Sequence, residues 1–306
     1  MKQATSIKPS DSRLWYVWGN LERDRNRYDR ALEHMQKAQE LSPDDPPVLG
    51  ALGEIEKRRG NYEEASMLLL KSIQKSENRW NRVVCFTSLA DTLRRWALIL
   101  LKDKRKEDAV KKLKQAYDAG AKAVQLGDDF RAKSTLGEVC LNLGQLLLTI
   151  SGLDDARPYL EQAIVPNAKR MKERKTTEKA CYELVLALIR EGKRDEAKEF
   201  YLTGRSVLSG RDSLAEKYRE LGDDLSQEVT TGKLARVVKS KGYGFLKPYG
   251  GGADTVYLHV TNVVPLITVL EFDELEGCDF SFVTQKGTHG PNLEAKRARL
   301  IDTDIN

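Results

Sequence analysis

The chain repeats itself near its N-terminus, and that repeat restricts the fold more than any other feature. Aligning residues 14–45 with 48–79 sets Gly19 on Gly53, Tyr28 on Tyr62 and Ala31 on Ala65, each 34 residues apart. The same alignment sets Trp18 on Leu52 and Met35 on Leu69. A period of this length reads as one helix–turn–helix unit. The small residues Gly19 and Ala31 let two antiparallel helices approach closely, while Trp15, Trp18 and Tyr28 fill the space between units. One such hairpin cannot bury its apolar face alone, so several must stack.

Later units are longer and less regular. Amphipathic segments at 82–102 and 107–126 form a third pair. Segments at 131–150 and 153–165 form a fourth, marked by Gly137, Gly152 and Ala156, and 177–192 with 195–208 form a fifth, marked by Gly192 and Ala197. Pairs one, two and five have near-standard length; three and four carry extended helices. Residues 213–226 read as a last amphipathic helix that caps the stack. The large residue followed by Gly, then an aromatic, then Ala, then Pro43 as a closing residue resembles the tetratricopeptide repeat. That resemblance implies a solenoid whose concave face takes a peptide or partner helix. One subset of that family grips a C-terminal carboxylate with Lys, Asn and Arg. Asn20 sits at one such position, but Tyr16 and Ala51 occupy two others and cannot do that work, so the carboxylate clamp is rejected. Tyr16, Asn20 and Lys57 remain as groove candidates for a protein partner.

After about residue 229 the pattern changes to short alternating runs rich in Val, Tyr, Phe and Gly. Strands are expected at 233–239, 243–248, 255–261, 278–284 and 293–300, and five short strands in so few residues suggest a small closed barrel. Side chains alternate along a strand. In KGYGFLK, Lys241, Tyr243, Phe245 and Lys247 therefore share one face, and Gly242, Gly244 and Leu246 share the other. In TVYLHVT, Val256, Leu258 and Val260 form a core face and turn Tyr257 and His259 the opposite way. Outward rings flanked by lysines suit base stacking between phosphates.

These runs resemble the cold-shock domain, an OB-fold family. KGYGFL at 241–246 is similar to its first ribonucleoprotein motif, with Tyr243 and Phe245 at the stacking positions, and VYLHV at 256–260 to its second, with Tyr257 and His259 contacting bases. GKLARVV at 232–238, GGAD at 251–254, LEGCDFSF at 275–282 and KGTHGP at 286–291 follow in the family's order. The resemblance implies single-stranded nucleic acid as ligand, RNA ahead of DNA, held by Lys233, Arg236, Lys239, Lys241, Tyr243, Phe245, Lys247, Tyr257 and His259. Three departures stand out. Arg236 replaces the usual first-strand Trp, Ala235 replaces a basic residue, and Val260 replaces a usual aromatic. A narrower or weaker site is expected, with the repeats adding affinity through avidity or basic contacts.

The expected architecture is thus multidomain α plus β: a solenoid of about five helix pairs with a capping helix over 1–228, then a five-stranded cold-shock-type OB barrel over 229–306. Net charge is +5, and because 231–306 hold nine basic and nine acidic residues, the whole excess lies in the helical part. Two basic stretches there, KDKRK at 102–106 with Lys111, Lys112 and Lys114, and KRMKERK at 169–175, read first as solvated helix ends and second as a phosphate-tracking surface.

No apolar run approaches the ~20 residues needed to cross a bilayer. Four scattered cysteines make no metal spacing and read as buried thiols of a cytoplasmic protein. No enzyme signature, cofactor motif or metal ligand set is present, and acidic pairs such as Asp44–Asp45 and Asp154–Asp155 suit helix ends. The chain is expected to be a binding protein that recruits a protein partner. Two other readings stand beside that one: a protein scaffold whose barrel is only a docking module, and the regulatory C-terminal part of a larger nucleic-acid-sensing enzyme, suggested by the abrupt start of the first repeat.

Overall fold

The computed structural model describes residues 8, 10–165, 168–208, 213–226, 229–248, 255–263, 268–286 and 293–300. The motif stretch 251–254 and most of 286–291, including His289, lie outside the described residues. The chain divides into two compact units, Met1–Tyr218 and Arg219–Asn306.

The first unit is a succession of antiparallel helix pairs. They are α1 (Ser12–Asp24) with α2 (Tyr28–Leu41), α3 (Pro46–Arg59) with α4 (Tyr62–Lys75), and α5 (Arg79–Lys102) with α6 (Lys106–Leu126). They continue as α7 (Phe130–Ile150) with α8 (Leu153–Gln162), and α9 (Met171–Arg190) with α10 (Arg194–Val207). Close approach within a pair depends on glycine. A Cβ on Gly19 would stand 2.9 Å from Met35 Cγ, and one on Gly53 would stand 2.7 Å from Leu69 Cγ. Met35 and Leu69 are fully buried by this interlock, and each such side chain contributes roughly 1.5–3 kcal/mol by leaving water. In the fourth pair this glycine is Gly144, whose Cβ would meet Leu160 Cγ at 2.5 Å. Gly137, the marker read from the sequence, meets nothing nearer than 3.7 Å. The repeat there runs in a different register from the one expected.

The fifth pair also departs from expectation. α9 is 20 residues long and begins at Met171 rather than near 177. Most of KRMKERK is therefore the first turns of a helix. Arg174 donates to the carbonyls of Val207 and Leu208 at 3.0 and 2.9 Å, satisfying oxygens left open at the end of α10. The other basic stretch is the turn between α5 and α6: Arg105 pairs with Asp108, and Lys112 lies 3.6 Å over the Trp96 ring. Cys85, Cys140 and Cys181 are buried, and burial pushes the Cys140 and Cys181 thiols up to about 12. Cys278 is only half-buried. Among the described residues no helix is long and apolar enough to cross a membrane.

Helix α11 (Ser213–Ser226) follows, and Tyr218 is seated against Gly204 of α10, its hydroxyl donating to the Glu178 carbonyl at 2.7 Å.

The second unit contains β1 (Val229–Val238), β2 (Tyr243–Pro248), β3 (Val256–His259), β4 (Asp279–Lys286) and β5 (Leu293–Leu300). They pair in the order β1-β2-β3-β5-β4, with β4 returning to β1 so that the ladder closes; β3 and β5 are the parallel neighbours. Leu234, Leu246, Val256, Leu258, Phe280 and Phe282 fill the interior with Phe272. Two elements not expected from the sequence add Val260 and Phe272 to this interior. A 3-10 turn, Val260–Asn262, ends β3, and α12 (Val269–Asp273) is fixed by a capping box between Thr268 and Glu271.

Candidate functional site

Strand register decides which side chains share a surface. Across β1, β2 and β3, one rung joins Val238, Tyr243 and His259, and the next joins Arg236, Phe245 and Tyr257. Farther along, Lys233 stands opposite Lys247. Directly opposed residues project to the same side, so rings and cations form one grid. The alternating positions, Leu234, Gly244, Leu246, Val256 and Leu258, are buried.

A bulge holds this grid together. Register shifts between Leu234 and Arg236, so Ala235 and Arg236 are both exposed before Val237 turns back inside. Two features make the bulge possible. The Val237 amide donates to the Glu276 carboxylate at 2.9 Å, which satisfies a group left over from the ladder. Gly244 passes beneath, where a Cβ would stand 2.6 Å from the Arg236 carbonyl oxygen. The glycine between the two rings of KGYGF is thus required by backbone approach.

The rings of Tyr243, Phe245 and Tyr257 are half-buried and form a triangle. Centroid separations are 5.4 Å for Tyr243–Tyr257, 6.1 Å for Phe245–Tyr257 and 6.2 Å for Tyr243–Phe245. The first pair is tilted by 37°, and Phe245 stands edge-on to both tyrosines. Their mutual contact fixes each ring in place. His259 is half-buried; the Thr261 amide donates to its Nδ1 at 3.3 Å, which leaves the proton of the neutral ring on Nε2. Lys233, Arg236, Lys239, Lys241 and Lys247 are all exposed. Like charges directly opposed, as in Lys233 and Lys247, cost stability unless an anion or solvent offsets them.

Val260 corrects one expectation. As the replacement for a usual aromatic it stands among the departures expected to narrow the site, but it is buried in the interior: its amide donates to the Gly242 carbonyl at 2.8 Å and its side chain lies under Gly242. The position faces the core, so this surface loses no stacking ring there.

The helical candidates separate. Lys57 is buried and engaged by Glu54 at 2.8 Å and Asp91 at 3.4 Å, so it presents no charge to a partner. Asp91 also takes Arg94 and Arg95, at 2.7 and 2.9 Å. Burial pushes its carboxyl up, but Lys57 and Arg94 outweigh that and hold it well below the usual carboxylate range. Asn20 is half-buried, with a side-chain oxygen that meets no partner among the described residues. Tyr16 lines a cavity of about 510 Å3 together with Pro46, Pro47, Val84 and Trp80, whose side chain is 62% exposed. Trp80 was missed in the sequence because it falls just past the two aligned repeats. The helix begins at Arg79, three residues before the expected segment, which puts Trp80 in its first turn; Asn78 as an N-cap residue was the available signal.

Residues 22–82 match a family model described as Tetratricopeptide repeat, and residues 178–204 match another of the same description. Within those two ranges the helices are tetratricopeptide repeats. Neither matched range reaches the strand unit. No curated protein matches the chain. Among solved structures the chain is similar to YrrB, described as a TPR protein with an unusual peptide-binding site, at 19% identity and TM-score 0.45 over 72% of this chain and 97% of that one. It is similar to MamA at 17% identity and TM-score 0.41, over 66% and 96%. It is also similar to human IFIT1, solved as a dimer with PPP-AAAA, at 15% identity and TM-score 0.43, over 72% of this chain and 48% of that one.

Proposed function

We propose that the strand unit is a cold-shock-type OB barrel that binds single-stranded nucleic acid, RNA ahead of DNA, while the repeats recruit a protein partner. The observation that carries this reading is the ring triangle of Tyr243, Phe245 and Tyr257 on one surface with five exposed cations. Unpaired bases stack on such rings at roughly 1–3 kcal/mol each, largely irrespective of base identity. Arg236, directly opposite Phe245, offers a guanidinium plane beside the rings, which stacks on a base or holds a phosphate. His259, held by the Thr261 amide and hydroxyl at 3.3 and 2.8 Å from its Nδ1, serves in this reading as a base-contacting group beside the rings.

Duplexed bases are stacked on each other and cannot reach the rings. Fluorescence anisotropy with a labelled oligonucleotide, single-stranded or annealed to its complement, tests the reading. The single strand is expected to bind at least about tenfold tighter at equal salt, the worth of one stacked base. Equal affinity for both forms, or none for either, contradicts it.

A further inference from the structure

A second charged feature lies in the helical unit, remote in sequence from the strand residues. Between the turn joining α1 to α2 and the end of α3 is an open cleft of about 730 Å3, lined by Arg27, Arg30, Arg58 and Arg59 with Asp29 as its only carboxylate. Two of these arginines are partly neutralised. Arg27 reaches Glu22 at 3.4 Å, and Arg59 reaches Glu56 at 3.2 Å and Asp29 at 3.6 Å. Arg30 and Arg58 are exposed and make no ion pair among the described residues. The cleft therefore carries two exposed guanidiniums outside any ion pair, with Arg30 also within the field of the Glu22 carboxylate, and an excess of positive charge.

Their placement works against the helix that bears them. Arg27 is the N-cap of α2 and supplies no side-chain cap, and Arg30 lies in its first turn. The N-terminus of a helix is the positive end of its dipole, where cations are disfavoured and anions favoured. Asp29 in the same turn suits the dipole, whereas Arg27 and Arg30 do not stabilise α2. The open amides of that first turn and the guanidiniums beside them are groups from which an anion accepts hydrogen bonds.

We propose that this cleft binds phosphoryl groups. Guanidinium forks match the oxygens of a phosphate in pairs, and the cleft is wide enough to admit a group flanked by further atoms. The proposal is independent of the strand unit: it assigns a separate anion site to the repeats. The phosphates come either from a nucleic-acid backbone or from a small phosphorylated ligand.

The test uses the full chain with Arg30→Gln/Arg58→Gln, two exposed substitutions compatible with helix, and circular dichroism to verify folding. Inorganic tripolyphosphate is titrated calorimetrically into wild type, this variant and Phe245→Ala/Tyr257→Ala. Wild type and the ring variant are expected to bind alike, and the arginine variant about tenfold more weakly, as befits the loss of charge-assisted bonds. The salt dependence of a 40-nucleotide single strand is then measured for wild type and the arginine variant. A slope lower by about 1.4 in the variant, two contacts at about 0.7 each, assigns the site to nucleic-acid backbone. An unchanged slope beside lost tripolyphosphate binding assigns it to a small phosphorylated ligand. No tripolyphosphate binding by wild type, equal binding by the arginine variant, loss in the ring variant, or equally tight binding of a decaglutamate peptide overturns the proposal.

Discussion

Gly244 lies so close beneath the Arg236 carbonyl that a Cβ there would stand 2.6 Å from its oxygen. The obstacle is backbone, not the end of a flexible side chain, so the bulge that exposes Ala235 and Arg236 must move if Gly244 gains a methyl group. Gly244→Ala is expected to cost about 2 kcal/mol, in the range of a backbone-shifting overpacked site. A urea titration of the strand unit's transition measures it. Single-strand affinity is expected to fall too, because Phe245 and Arg236 are displaced together.

Asp91 is the counter-charge of Lys57, Arg94 and Arg95. Asp91→Asn removes the charge these three cations share, leaving Lys57 with Glu54 alone and Arg94 with Glu138 alone, and a loss of about 2 kcal/mol is expected at neutral pH. Because the folded carboxyl titrates well below its unfolded range, the unfolded chain takes up the proton first as pH falls. The contribution is therefore complete above the unfolded value, about 3.9, and declines as pH drops from there toward the folded value. Urea midpoints of wild type and variant should differ most at pH 7 and converge below pH 4. A gap that persists undiminished at pH 3 contradicts this.

Arg174 ties α9 to the end of α10 through the Val207 and Leu208 carbonyls. Arg174→Ala is expected to cost about 1–2 kcal/mol and to raise amide exchange in the last turn of α10. It should leave oligonucleotide affinity unchanged, since this guanidinium is committed within the protein. A marked fall in affinity without a change in exchange would return 169–175 to the phosphate-tracking role.

Gly144 tests the repeat interlock. Gly144→Ala drives a methyl group toward Leu160, and a loss of about 1–3 kcal/mol is expected. Gly137→Ala, with ordinary van der Waals room, should be neutral or slightly stabilising, because alanine is the better helix former by about 1 kcal/mol. Thermal melting of the two variants separates the observed register from the one expected.

What was legible in the sequence followed from periodicity. The 34-residue offset located the first two helix pairs, and strand alternation put Tyr243, Phe245 and Tyr257 on the half-exposed side with Leu246, Val256 and Leu258 inside. What was not legible depended on tertiary neighbours. Gly144 and Gly137 look equivalent until Leu160 is seen beside one of them. Lys57 resembles a free groove cation until Asp91, from the next repeat, meets it. Val260 continues the alternation that makes it a core residue, but comparison with a family pattern made it look like a lost ring. The two short helical elements beside β3 and before β4 are fixed by caps at His259 and Thr268, too local for periodicity to register.

The most direct measurement is single-strand affinity of the full chain carrying Phe245→Ala and Tyr257→Ala, across a series of salt concentrations. Removing two stacking rings while keeping every cation should weaken binding by about 2 kcal/mol or more, about 30-fold, at each salt. The slope against salt should stay parallel to wild type, because that slope counts phosphate contacts. Affinity equal to wild type throughout the series contradicts the assignment of these rings to a nucleic-acid ligand.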